Sequence, residues 1–289
     1  MPKSNIIIAC SILVVLFGIV YIWQWAVTNE TVVINNNQIN PSIYSAVDFA
    51  ASTEKLTLPT QCFQEFQGGI VTHHDIASSL VGEFFQCISK SNAPRTIILI
   101  GPNHSQQGPP VLSASRDWHT PFGDLELDRD KMEELQGLYQ VDDEALIADH
   151  SISFMIPYIK YYFPEAKVIP LLVKYSYIRS EADKGIALLK KVIDEQTFIL
   201  GSLDFSHYLT KNQADKNDKI SKEIVTNFDL DDVYNHADGF YDCAPGLFII
   251  LSLMQDLEHK NIIELNHANS FDFTGNPYNT TSYFSWLFS

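Results

Sequence analysis

Three apolar segments in this chain each run into a histidine: GGIVTHH (Gly68 to His74), TIILIGPNH (Thr96 to His104) and TFILGSLDFSH (Thr197 to His207). Each reads as a short buried strand that breaks at Gly, Pro or Asp and presents an imidazole just past its end. In open α/β sheets, ligands bind in the crevice beyond the carboxyl ends of the strands. Three such exits, with a later Cys243 at the start of a helix, point to one shared site.

Strands and helices alternate from Leu56 onward, which predicts an α/β three-layer sandwich with a mostly parallel central sheet. Strands are expected near 69–72, 96–100, 167–174, 197–202, 262–266 and 283–288. Segments 111–115 and 123–127 read as a hairpin or meander. Helices are expected near 77–89, 128–138, 151–163, 180–194, 212–227 and 244–258. Asp128 is the N-cap of the second of these, and Pro157 is a possible kink in the third.

Ile6 to Val27 carries no charge over 22 residues. As a helix it would rise about 33 Å, enough to cross a hydrocarbon core of about 30 Å. With Lys3 on its short side, the chain reads as a single-pass membrane protein with its domain on the outer side. The implied organisation is a short tail (1–5), an anchor (6–27), an Asn-rich linker (28–55) that could hold a short helix near 44–51, and a domain (56–289). A net charge of −16 argues against nucleic acid as a partner. Of the four cysteines, Cys10 lies in the apolar run, and Cys62 and Cys87 read equally as a disulfide or as two buried thiols.

Several residues could carry chemistry, each with a plainer reading beside it. His73 and His74 form either a site pair or ordinary loop histidines. Asn103 and His104 lie in a sharp Gly-Pro turn. Asp204 and His207, three apart after a strand, suit a carboxylate that orients an imidazole and raises its basicity, or else an N-cap and an exposed ring. Cys243 sits where a helix N-terminus favours thiolate, or is a small buried hydrophobe. His150, following Asp149, opens a helix and is a further site residue.

The blocks GPNHS, TPFGDLELD, ADHSISFMIPYIKYYFP, VIPLLV and GSLDFSHYL, followed by the Cys243 helix start, resemble in their order the Memo family, whose bacterial members are called AmmeMemoRadiSam system protein B. The likeness runs from about Gly68 to the C-terminus. It implies a fold similar to that of class III extradiol dioxygenases, which are non-haem iron enzymes. It also implies His73, His104 and Cys243 as metal ligands, with Asp204 and His207 beside the metal. His74, Asn103 and His150 would stand around that set. Two blocks depart from the family pattern: Thr72-His73-His74-Asp75-Ile76 replaces Pro-His-Ala-Gly-Tyr, and His150-Ser151-Ile152-Ser153 lacks the glutamate of His-Ser-x-Glu. The expected function is a metal-dependent, dioxygenase-like redox enzyme acting on a small molecule, with iron or copper favoured and zinc acceptable. The alternatives are a non-catalytic peptide- or ligand-binding module in the same pocket, and a metal-dependent hydrolase.

Overall fold

Strands built from unbroken apolar runs need cover on both faces, and such strands form the middle of the sheet. The computed structural model describes residues 38–41, 45–54, 58–90, 93–236 and 239–289. The strands in chain order are β1 (Gln38–Ile39), β2 (Gly68–Val71), β3 (Thr96–Pro102), β4 (Val111–Ser113), β5 (Asp117–Thr120), β6 (Gly123–Leu125), β7 (Gln140–Val141), β8 (Lys167–Val173), β9 (Thr197–Ser202), β10 (Phe205–Leu209), β11 (Ile262–Asn269) and β12 (Thr280–Phe288). Every residue of β2, β3 and β9 is buried. The large sheet runs β10-β12-β2-β9-β3-β8-β4-β7, with β11 also paired to β12.

The sheet is mixed where a mostly parallel one was expected. Strands β2, β9, β3 and β8 are parallel neighbours. Toward one edge, β12 pairs antiparallel with β2, β10 and β11, and toward the other β4 runs antiparallel to β8. The physical reason is connection length. The parallel strands are joined by long crossovers, whereas β11 and β12 are consecutive and fold back on each other. The chain is therefore a mixed α/β fold, a large sheet flanked by helices.

Two local expectations also changed. The segments at 111 and 123 do not pair together: β4 joins the large sheet, and the hairpin is β5–β6 in a separate three-stranded sheet. Trp118, fully buried, anchors β5, and the turn closes through Thr120 Oγ1 donating to Gly123 O at 2.7 Å, with Gly123 at φ +107°. The expected helix 151–163 is two helices, His150–Ser153 and Met155–Tyr162. Pro157 has no N–H to give Ser153 O four residues earlier, so the first helix ends there.

The stretch read as a linker contributes to the fold in its described part. Strand β1 pairs with β5. The helix Ala46–Ser52 sets Phe49 against Phe122 and Tyr158, with ring centroids 4.8 and 4.7 Å away, and Ser52 Oγ lies 2.8 Å from Tyr158 Oη. It approaches the helix Ser78–Ile88 so closely that a Cβ on Gly82 would meet Ser52 O at 1.8 Å, so only glycine fits there. Cys62 and Cys87 are joined by a disulfide.

The membrane expectation is corrected. No helix among the described residues is long and apolar enough to cross a membrane. The segment 6–27, on which an anchored domain on the outer side was read, lies outside the described residues.

Candidate metal centre

The parallel core explains why distant histidines meet. Strand β9 lies between β2 and β3, with Val71 opposite Ser202 and Ile100 opposite Gly201. The three strands therefore end together, and whatever follows each is delivered to one edge. His73 and His104 leave β2 and β3, and Asp204 leaves β9. His150 arrives from the helix that packs on β3, where a Cβ on Gly101 would meet Ser151 Oγ at 2.6 Å. His73, His104 and His150 form a group whose ligand-capable atoms all lie within 4.8 Å of one another. The rings of His104 and His150 stack with centroids 4.2 Å apart, and His73 meets both edge-on at 5.2 and 4.9 Å.

Each ring is tied at one nitrogen and available at the other. His73 Nδ1 lies 3.2 Å from Ser202 O, and a carbonyl can only accept, so the proton sits on Nδ1 and Nε2 carries the lone pair. That Nε2 is buried with no hydrogen-bond partner. Burial lowers the His73 pKa to about 3 against the opposing pull of Asp204, so the ring is neutral, as a metal ligand must be. His104 Nδ1 lies 2.8 Å from Asp149 Oδ1, and its backbone N–H donates to Asp149 Oδ2 at 2.8 Å. Burial would raise the Asp149 carboxyl, but the hydrogen bonds from His104 and Ser151 outweigh it and bring it to about 2. A charged carboxylate on Nδ1 fixes the tautomer and points Nε2 outward, the arrangement that usually supports a metal-bound histidine. Burial also lowers the His150 pKa. An orphaned buried nitrogen and three neutral imidazoles fit a metal ion.

Around this group, Asp204 is buried and takes hydrogen bonds from the Thr72 hydroxyl and the His73 N–H. Burial would raise its carboxyl, yet His73, His207 and Thr72 hold it below the usual range. Its Oδ2 lies 3.9 Å from His207 Nε2, and burial keeps His207 neutral. His74 Nδ1 shares a 2.6 Å hydrogen bond with Tyr283. Asn103 is spent on its own turn, donating to Gln107 O at 2.9 Å and accepting from Ser105 Oγ at 2.8 Å.

Cys243 is not one of the three clustered groups. Its Sγ caps the helix Ala244–Asp256, accepting from Gly246 N at 3.3 Å, and lies 3.6 Å from Val173 O. Burial, then Asp242, push its thiol pKa up, so it is a protonated thiol. The sequence reading gave no role to Asp149 or Asp242, both of which touch the histidines. For Asp149 a signal existed: an aspartate directly before a helix-opening histidine.

The group opens into a cleft of about 850 Å³ lined by His74, His104, His150, Asp204, His207 and Asp242, with Tyr175, Tyr208 and Tyr278 toward solvent. No lysine or arginine lines it among the described residues.

Comparison with known proteins agrees with this geometry. The profile of the Memo-like protein family matches residues 54–287. A MEMO1 family protein of Pyrobaculum aerophilum is 26% identical over 235 residues, covering 78% of this chain and 84% of its own length. One from Thermoplasma acidophilum is 30% identical over 230 residues, covering 75% of this chain and 84% of its own length. An uncharacterized protein of Escherichia coli K12, known from its crystal structure, superposes with a TM-score of 0.53 at 14% identity, over 78% of this chain and 100% of that one; this likeness concerns the fold alone. With the family profile spanning most of its length and relatives aligned across its strands, the chain belongs to the Memo family.

Proposed function

We propose that this Memo family protein is a metal-dependent, dioxygenase-like redox enzyme for a small molecule. In this reading His73, His104 and His150 hold the ion, with His150 in the place first expected for Cys243. The observation that carries the reading is the convergence of three imidazoles, one with an orphaned buried Nε2 and one with its Nδ1 fixed by Asp149. Imidazoles suit iron, copper and zinc alike, and the redox reading requires iron or copper. A bound ion would supply Lewis acidity toward a substrate oxygen and a place to activate dioxygen.

The chain's own residues would do the rest. His207, neutral and facing the cleft, accepts a proton from a substrate hydroxyl. Asp204, kept ionised 3.9 Å away, stabilises the imidazolium that forms. A lining without lysine or arginine suits a neutral or cationic substrate and disfavours phosphorylated ones. The test is anaerobic loading with iron(II), then oxygen uptake across a panel of catechols and related diols. One equivalent of iron and uptake with at least one diol, lost in His207→Ala while iron is retained, is the expected outcome. A protein that takes up no metal sinks the reading.

A further inference from the structure

Two polar side chains beside one another at the centre each keep an atom without a hydrogen bond. His73 Nε2 and Asp242 Oδ1 are both buried and unpartnered. Asp242 Oδ2 lies 3.4 Å from His73 Nε2, and the two side chains are 4% and 1% exposed. Asp242 also lines the cleft into which His104 and His150 open. Two donors bound at roughly 2.1 Å to one tetrahedral ion stand about 3.4 Å apart. The spacing observed is that of two ligands on a shared ion.

We propose that Asp242 is a carboxylate ligand of this metal centre, beside the histidines. The inference rests on the reading of the histidine group as a metal site and adds the oxygen donor. The backbone holds the carboxylate in place: Asp204 N donates to Asp242 Oδ2 at 3.1 Å, and Asp242 N donates back to Asp204 O at 3.0 Å. Oδ1 is left for the ion. The neighbouring Cys243 is turned to the helix it caps, with Gly246 N on its sulfur. The connection into the helix Ala244–Asp256 therefore presents a hard oxygen donor one residue before the soft sulfur. A carboxylate with imidazoles favours iron(II), manganese(II) or zinc over copper(I).

Asp242→Asn separates this role from a structural one, because an amide oxygen still accepts from Asp204 N while the charge is lost. Wild type and variant would be titrated with cobalt(II) and zinc against a competing chelator. The expected result is a dissociation constant raised by roughly 10- to 100-fold or more, a scale known for groups around a metal. The cobalt(II) visible spectrum should change, and the metal-free unfolding midpoint should not fall. Unchanged affinity and spectrum in the variant overturn the proposal and leave the histidine site standing. No metal uptake by wild type overturns both. Zinc X-ray absorption on wild type needs no variant. Nitrogen and oxygen donors alone are expected, and a zinc–sulfur distance of about 2.3 Å puts Cys243 in the shell and overturns the proposal.

Discussion

His104 and Cys243 begin from the same sequence cue, a potential ligand at the edge of an apolar segment, and end in opposite conditions. His104 gives one nitrogen to Asp149 and keeps the other free beside two more imidazoles. Cys243 has one sulfur, which already serves the Gly246 N–H and faces Val173 O. A side chain with two coordinating atoms can be anchored and still bind. One with a single such atom, once anchored, is a structural cap. The difference lies in the partners, and the partners come from elsewhere in the chain.

The largest expected effect that would sharpen this comparison is on metal binding. His104→Ala removes a ligand and should weaken zinc or iron(II) by about 1,000-fold or more, of the order of one metal bond. His150→Ala should follow closely, measured by competition with a chelator. If His150→Ala binds as tightly as wild type, the three-histidine set is wrong.

Asp149→Asn should cost roughly 10- to 100-fold in affinity, because the neutral amide no longer fixes the His104 tautomer or strengthens its donation. An unchanged constant would reduce Asp149 to the N-cap of the helix His150–Ser153, where its side chain accepts from Ser151 N.

Acid should destabilise the metal-free protein. The folded His73 pKa is lowered to about 3 from a model value of 6.5. Between those values the unfolded chain binds a proton that the folded one refuses, so stability falls as pH drops below 6.5 and stops falling from this group below about 3. Between pH 7 and pH 5 the loss from His73 is of the order of 2 kcal/mol. His150 and His207, lowered by burial, act in the same direction. Asp149, depressed to about 2, adds a loss at lower pH as it protonates. Urea unfolding at the two pH values checks this, and His73→Gln should flatten the slope.

The smallest effect belongs to Cys243. Cys243→Ser should change metal affinity by less than about threefold and lower stability by about 1 kcal/mol, from replacing a buried thiol by a hydroxyl. A large loss of copper(I) affinity in this variant would restore it to the site and erase the contrast with His104.

Much of this was legible in the chain. The all-apolar runs at 97–100 and 198–200 can exist only as covered strands, so the strand exits followed, and with them His73, His104 and Asp204 at one edge. Pro157 marked the broken helix. The hairpin was misassigned because short β segments such as 111–113 are locally identical whether they pair with a sequence neighbour or with β8. The role of residues 38–52 was hidden because composition reports polarity, and the contacts that decide the matter, Ser52 on Gly82 and Phe49 on Tyr158, come from distant positions.

By itself, then, the sequence determined the alternation of strands and helices, the membership of the Memo family, and the histidines at the ends of the central strands. These depend on local pattern and on motifs in order. Tertiary structure alone decided that the sheet is mixed, that His150 joins His73 and His104, that Asp149 holds one ring and Asp242 stands beside another, and that the Cys243 sulfur faces its own helix. Each of those depends on which atoms of remote segments meet once the core has closed, and on which of them burial leaves without a partner.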